Sequence, residues 1–250
     1  MDIEKSNETI PMIIWQTYKT KKLPKSCHTA HKSWIDLNPM YQVYLYDDDD
    51  IEEHIRTEWS PAMMEFYKAL PIGVMKADLW RYLILAKRGG TYSDIDSKCM
   101  LPIVEWYKPV LKVCYALIGL ENDTHFCQWT IRATPLHPLM NHVAQYLLEH
   151  WQREGINFQS PHFVHEVTGP GIWTEAIVNY LGLGMDKTPR QILDLYETDI
   201  SIRSHIESKG LYLFSKPFFQ HIYSKNLYGS QNFTDDYVRW IEEIPNYVSL

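Results

Sequence analysis

Asp94 and Asp96 stand two residues apart. In an extended chain, residues i and i+2 project to the same side. Two carboxylates so placed repel each other unless a cation lies between them. Oxygen ligands suit a hard divalent ion such as Mg²⁺ or Mn²⁺. An ion held by only two carboxylates keeps coordination positions open for water or for substrate phosphates, which is the arrangement that neutralises a departing diphosphate. An isolated Asp-x-Asp occurs in many solvated loops, so its surroundings must carry the assignment. Asp78 and Arg81 precede it, three residues apart and hence on one helix face. The segment around them is otherwise apolar. The pair is either a buried salt bridge tying helix to sheet or a group that reaches a ligand. Gly89-Gly90 then lets the backbone turn sharply back toward the acidic segment.

Other chemistry-bearing groups are weaker candidates. The run Asp47 to Asp50 fails as a calcium loop, because the position that requires Gly is Glu52 and the fifth ligand position is Ile51. It reads instead as a solvated loop opening a helix, where carboxylates are favourable. Cys27, Cys99, Cys114 and Cys127 form no CxxC pair, which argues against a structural zinc site; their even number permits disulfides without requiring them. Thr168-Gly169-Pro170 suits a close backbone approach followed by a helix start, or plain loop-to-helix punctuation. His137-Pro138 reads as a helix entrance rather than chemistry. Gln128 and Trp129 are site neighbours or core.

The elements that would position these groups alternate. Strands are expected at Pro11–Trp15, Tyr41–Tyr46, Thr91–Asp96, Val110–Leu120 and Leu211–Phe214. Helices are expected at Ser26–Leu37, from Ser60-Pro61 to near Leu70, at Gly73–Arg88, Pro138–Trp151 and Gly171–Leu181. The helix Gly73–Arg88 carries Val74, Ala77, Leu79, Leu83, Ile84 and Leu85 around much of its circumference, which predicts deep burial. Alternation of this kind implies an α/β chain with a mainly parallel sheet flanked by helices. Such sheets place ligands beyond the carboxyl ends of their strands, where Thr91–Asp96 ends.

The bulk properties agree with one globular enzyme-sized domain, 1–250. There are 250 residues, 45% hydrophobic and 22% charged. A net charge of -7 without a basic run argues against nucleic acid as a partner. Seventeen Tyr and nine Trp fill a core, and a minority can line a sugar or base site. No stretch reaches the roughly 18 apolar residues of a membrane span. A soluble or cytoplasmic location is expected if the chain is complete, and a Golgi lumen location if an N-terminal anchor was removed.

Three segments resemble family 32 glycosyltransferases: Ile10 to Lys19, Lys76 to Tyr82 and Gly89 to Asp96. These enzymes carry a DxD sugar-binding region on a GT-A fold. Phe126 to Pro138 and Thr168 to Glu175 narrow the likeness to the fungal α-1,6-mannosyltransferases that initiate outer-chain N-glycans. The resemblance covers roughly residues 10 to 230. It implies a retaining transferase, GDP-mannose as donor with UDP-sugars as the alternative, Mn²⁺ (or Mg²⁺) as metal, and a glycan or glycolipid hydroxyl as acceptor. Asp94 and Asp96 match the metal and diphosphate motif, while Asp78 and Arg81 match the donor-sugar pair. Donor contacts are implied for Trp15, Tyr18, Gly90, Tyr92, Thr168, Gly169, Pro170 and Ser230. Tyr18 falls where relatives have a base-stacking Trp. The family closes its metal site with a His shortly before Gly-Ser-Trp. Here His221 takes that place after Phe219-Gln, the spacer is longer, and Gln231 replaces the Trp. The donor and metal site is expected within 10–100, with acceptor and closing elements in 120–231. Two rivals share the Asp-x-Asp pattern: an aspartate-nucleophile phosphohydrolase, and a catalytically silent sugar- or metal-binding relative.

Overall fold

The structure is a computed structural model that describes residues 9–107, 116–214 and 224–226. Its centre is a six-stranded sheet. β1 (Ile13–Thr17) lies between β2 (Gln42–Tyr46) and β3 (Gly90–Ser93), followed by β6 (Thr130–Ala133), β5 (Ala116–Gly119) and β7 (Leu211–Phe214). β1 pairs in parallel with β2 and β3, and β5 with β7, whereas β6 runs antiparallel to both its neighbours. Five strands therefore share one direction, and their carboxyl ends form one edge. A two-stranded ribbon, β4 (Ser97–Cys99) with β8 (Ser224–Asn226), follows the acidic segment.

Period-two alternation divides the core into two layers. Ile14 and Leu117 face Trp34 of α1 (Lys25–Leu37) and Ile103 and Trp106 of the 3₁₀ segment Ile103–Tyr107. Trp15, Ala116, Ile118, Ile131 and Ala133 face the larger layer, built from α4 (Gly73–Arg88), α5 (Pro138–Glu154) and α7 (Pro170–Leu181). All four residues of β3, β5 and β6 are buried, as expected of strands covered on both faces.

Between β2 and α4 lie α2 (Asp48–Glu58) and α3 (Pro61–Ala69). The acidic run opens α2: Asp47 accepts from the Asp50 backbone N and Asp50 accepts from the Asp47 N, each at 3.1 Å, and Lys21 pairs with Asp50. This capping box accounts for those carboxylates without an ion. Ser60 caps α3 and His137 caps α5.

α4 spans the residues expected, and Leu79 through Ala86 are all buried. Gly89 ends it at φ +61 with its N–H on the Leu85 carbonyl. Gly90 follows at φ +100, where a Cβ would lie 2.9 Å from the Ile13 carbonyl oxygen. The glycine pair thus lets helix and strand β1 meet at backbone distance.

The fold departs from the sequence expectation in several places. The reversed strand β6 was not anticipated, nor were α8 (Pro189–Thr198) and α9 (Ile200–Ser208) after α6 (Phe163–Val167) and α7. β6 is short and its sequence, TIRA, carries an arginine, so alternation is weak; Arg132 is nonetheless buried against Tyr41. The strand expected over Val110–Leu120 is described from Ala116. Cys27, Cys99 and Cys127 are buried, and Cys114 lies outside the described residues. Among the described residues, no helix is long and apolar enough to cross a membrane.

Candidate active site

The acidic segment lies at the carboxyl edge of the sheet. β3 ends at Ser93, and the chain turns at once: the Ser97 N donates to the Asp94 carbonyl at 3.0 Å. Asp94 and Asp96 are therefore the first and third residues of a tight turn, and the extended geometry expected for them is not what brings them together. The turn is fixed from two sides. The Asp94 N donates to the Trp129 carbonyl at 2.9 Å, and Gln16 Nε2 donates to the Asp94 carbonyl at 3.4 Å. Gln16 in turn accepts from His31 Nδ1 at 2.6 Å.

Helix α4 supplies the counter-charge. Arg81 Nη2 lies 2.8 Å from Asp78 Oδ1 and 3.0 Å from Asp94 Oδ1. The Tyr92 hydroxyl donates to the same Asp94 oxygen at 2.8 Å, and the guanidinium carbon stands 4.9 Å from the Tyr92 ring centroid. Two carboxylates thus share one guanidinium. Burial pushes Asp78 up to about 7, against the pull of Arg81. Burial and the Asp94 charge push Asp96 up to about 7 as well. Burial also raises Asp94, with Arg81 and the Tyr92 hydroxyl opposing it.

This crowding suits a bound divalent cation. The donors are carboxylate oxygens, which hard ions prefer, and a doubly positive ion would balance the excess negative charge. Among the described residues, no group of three or more His, Cys, Asp or Glu is placed to hold an ion. Asp94 and Asp96 are the two carboxylates of the turn that would hold such an ion. Arg81 Nε and Nη1 are also buried with no partner among the described residues. Such N–H groups are costly to leave unsatisfied and suit an oxygen-rich ligand.

The other expected site residues are distributed unevenly. Tyr18 follows the end of β1 on the same edge, half-buried, with its N–H on the Tyr46 carbonyl at 3.1 Å. Trp15 is 2% exposed, stacks on Tyr44 and donates its indole N–H to the Gly89 carbonyl at 2.7 Å. It lies within the core rather than open to the edge, and Gly90 packs against it. Thr168 Oγ1 donates to Asp78 Oδ2 at 3.3 Å, which joins the loop before α7 to the site. The close approach that Gly169 makes is to α6: a Cβ there would sit 2.8 Å from the Val164 carbonyl oxygen. Pro170 opens α7 at its first position. His221, Ser230 and Gln231 lie outside the described residues.

Two site residues had little or no sequence signal. Tyr82 is one helical turn beyond Asp78, and that spacing alone could have placed it on the same face. Gln16 sits at the end of β1, where position relative to the acidic turn is a matter of sheet register.

A Rossmann-like, mainly parallel sheet with this acidic turn beyond its strands defines a fold of the GT-A type. Residues 24–111 match the family described as "Glycosyltransferase sugar-binding region containing DXD motif", and they include Asp78, Arg81, Asp94 and Asp96. The chain is 31% identical over 194 residues to the initiation-specific alpha-1,6-mannosyltransferase of Schizosaccharomyces pombe, covering 69% of this chain and 49% of that protein. It is 28% identical to the enzyme of the same name from Candida albicans, covering 70% and 54%. A stretch of 90 residues is 42% identical to inositol phosphoceramide mannosyltransferase 3 of S. pombe, covering 36% and 25%. The chain spans about half the length of the first two relatives. Among solved structures, the PaToxG glycosyltransferase shares the fold, with a TM-score of 0.55 and 18% identity over 79% of this chain and 78% of that one.

Proposed function

We propose that the chain is a metal-dependent, retaining glycosyltransferase that takes mannose from GDP-mannose. The observation that carries this reading is the Arg81 guanidinium, joined at once to Asp78 of the helix and Asp94 of the turn on the ligand-binding edge of the sheet. Asp94 and Asp96, with His221, would hold Mn²⁺ or Mg²⁺. When bound, the ion supplies Lewis-acid neutralisation of the departing diphosphate.

The chain's own residues do the rest. Arg81 directs its positive charge toward the donor, and Asp78 fixes its plane. Tyr92 holds the Asp94 carboxylate in one rotamer. Tyr18 offers a ring face to the base. The bond from the anomeric carbon to the phosphate oxygen breaks as the acceptor oxygen bonds to that carbon from the same face. The acceptor proton passes to the departing diphosphate oxygen. The acceptor is a hydroxyl of a glycan or glycolipid; one relative carries a lipid, inositol phosphoceramide, in its name.

The test is a panel of GDP- and UDP-sugars assayed for donor consumption with Mn²⁺ and with chelator. Metal-dependent use of GDP-mannose is expected. Preferential use of a UDP-sugar would replace the donor assignment. Release of phosphate from simple phosphate esters, with no sugar donor consumed, would point to a phosphohydrolase.

A further inference from the structure

We propose that Gln128 is the residue of this site that reads a hydroxyl of the transferring sugar, and that Asp78 acts through it. The proposal rests on the glycosyl-transfer reading above.

Asp78 itself is covered. It is 1% exposed, and both carboxylate oxygens are engaged. Oδ1 takes Arg81 at 2.8 Å and Gln128 Nε2 at 3.4 Å, while Oδ2 takes Thr168 Oγ1 at 3.3 Å. Thr168 and Tyr82 are fully buried, whereas Gln128 is half-buried and so reaches the surface of this network. Gln128 also adjoins Trp129, whose carbonyl holds the Asp94 N–H. The amide therefore stands between the buried carboxylate and the edge on which the acidic turn opens.

Its orientation is set by the groups around it. The Tyr82 hydroxyl donates to Gln128 Oε1 at 2.6 Å and lies 3.1 Å from the Thr168 carbonyl. Tyr82 is held in turn by stacking flat on Trp173, with ring centroids 5.0 Å apart and planes 10° from parallel. With Oε1 facing Tyr82, Nε2 must face Asp78. A primary amide has two diverging N–H groups. One points to Asp78 over a long 3.4 Å, and the other has no partner among the described residues. That second N–H can donate to a sugar hydroxyl oxygen. The carboxylate behind the amide polarises it and strengthens the donation. Asp78 is thus a positioning residue for both Arg81 and Gln128.

The experiment measures affinity for GDP-mannose and for GDP by calorimetry, both with Mn²⁺, alongside melting temperature. The proteins are the wild type, Gln128→Ala, the near-isosteric Gln128→Glu and Tyr82→Phe. Gln128→Ala is expected to weaken GDP-mannose about tenfold, the worth of one hydrogen bond to a bound polar group, and to leave GDP within twofold. Gln128→Glu is expected to lose more, because its carboxylate faces Asp78. Tyr82→Phe is expected to show a smaller loss of the same kind, since it frees the amide to rotate. Equal losses for GDP-mannose and GDP would make Gln128 merely structural, and unchanged affinities in folded variants would remove it from the site. A wild type that binds GDP-mannose no better than GDP, with a UDP-sugar and UDP compared in the same way, would sink the donor reading before any variant is considered.

Discussion

Arg81 Nη2 stands within 3.0 Å of an oxygen of Asp94 and within 2.8 Å of one of Asp78. One corner of one guanidinium thereby connects helix α4 to the turn that follows β3. The arrangement has a stability role and a ligand role together, and these separate under mutation. Arg81→Ala leaves two carboxylates without their cation. Loss of one partner of a buried pair costs ~3–5 kcal/mol, so a fall in the urea midpoint is expected together with loss of turnover. Arg81→Lys keeps the charge and not the fork. It is expected to recover much of the stability and little activity, measured on the same preparations.

Asp94 and Asp96 are expected to differ. Asp94 accepts from Tyr92 and pairs with Arg81, so Asp94→Asn should lower the melting temperature as well as turnover. Asp96 is crowded by the Asp94 charge. Asp96→Asn should therefore leave the metal-free protein as stable as the wild type, or more so. Both variants should lose the Mn²⁺-dependent rise in melting temperature that a bound ligand gives. An undiminished rise in either one would end its assignment as a ligand.

Gly90 tests the meeting of α4 with β1. Gly90→Ala places a Cβ 2.9 Å from the Ile13 carbonyl oxygen and 3.0 Å from Trp15 Nε1, at φ +100. A strained backbone position alone costs ~1–3 kcal/mol, and the clash adds to it. The variant should be markedly destabilised. A melting temperature near wild type would show that α4 and β1 do not meet at backbone distance there.

His137 sets an acid limit on stability. Its Nδ1 accepts from the Leu139 N–H at 3.1 Å, which leaves Nε2–H to donate to the Gly210 carbonyl at 3.2 Å. Burial pushes it down to about 4 from an ordinary 6.5. The unfolded chain thus binds the proton more tightly, and stability falls as pH drops from about 6.5 toward 4. His54 is depressed to about 4 as well, chiefly by burial, and adds a loss of the same sign. His137→Asn keeps a capping oxygen without the titration. Urea midpoints at pH 7 and pH 5 should differ less in this variant than in the wild type.

Tyr18 is half-buried at the carboxyl edge. If it stacks on the donor base, Tyr18→Ala should weaken GDP binding by ~1–3 kcal/mol without lowering the melting temperature. Tyr18→Trp should bind at least as well as the wild type. Unchanged affinity in the alanine variant would take Tyr18 out of the base site.

The sequence by itself determined the elements with strong local signals and the identities of the charged groups. α4 is legible from Gly73 to Arg88 because its apolar residues and the Gly89-Gly90 stop are local properties. Pro138, Ser60-Pro61 and Leu211–Phe214 are legible for the same reason. Asp78, Arg81, Asp94 and Asp96 are legible because charge in an apolar setting is conspicuous. Their arrangement depended on contacts between residues far apart in the chain. β6 is held in place by pairing with β3 and β5, and its own four residues do not announce a strand. The turn at Asp94–Ser97 is fixed by Trp129 and Gln16, 35 and 78 residues away. Trp15 was expected at the ligand and is instead bound to Gly89, because the glycine pair lets α4 approach β1 closely enough to capture the indole N–H. Gln128 stands at the surface of the Asp78 network only because β5 and β6 carry its loop to the helix that Tyr82 and Asp78 share. A hydrogen bond within a few residues follows from backbone geometry, whereas these follow from packing, and only the tertiary structure decides them.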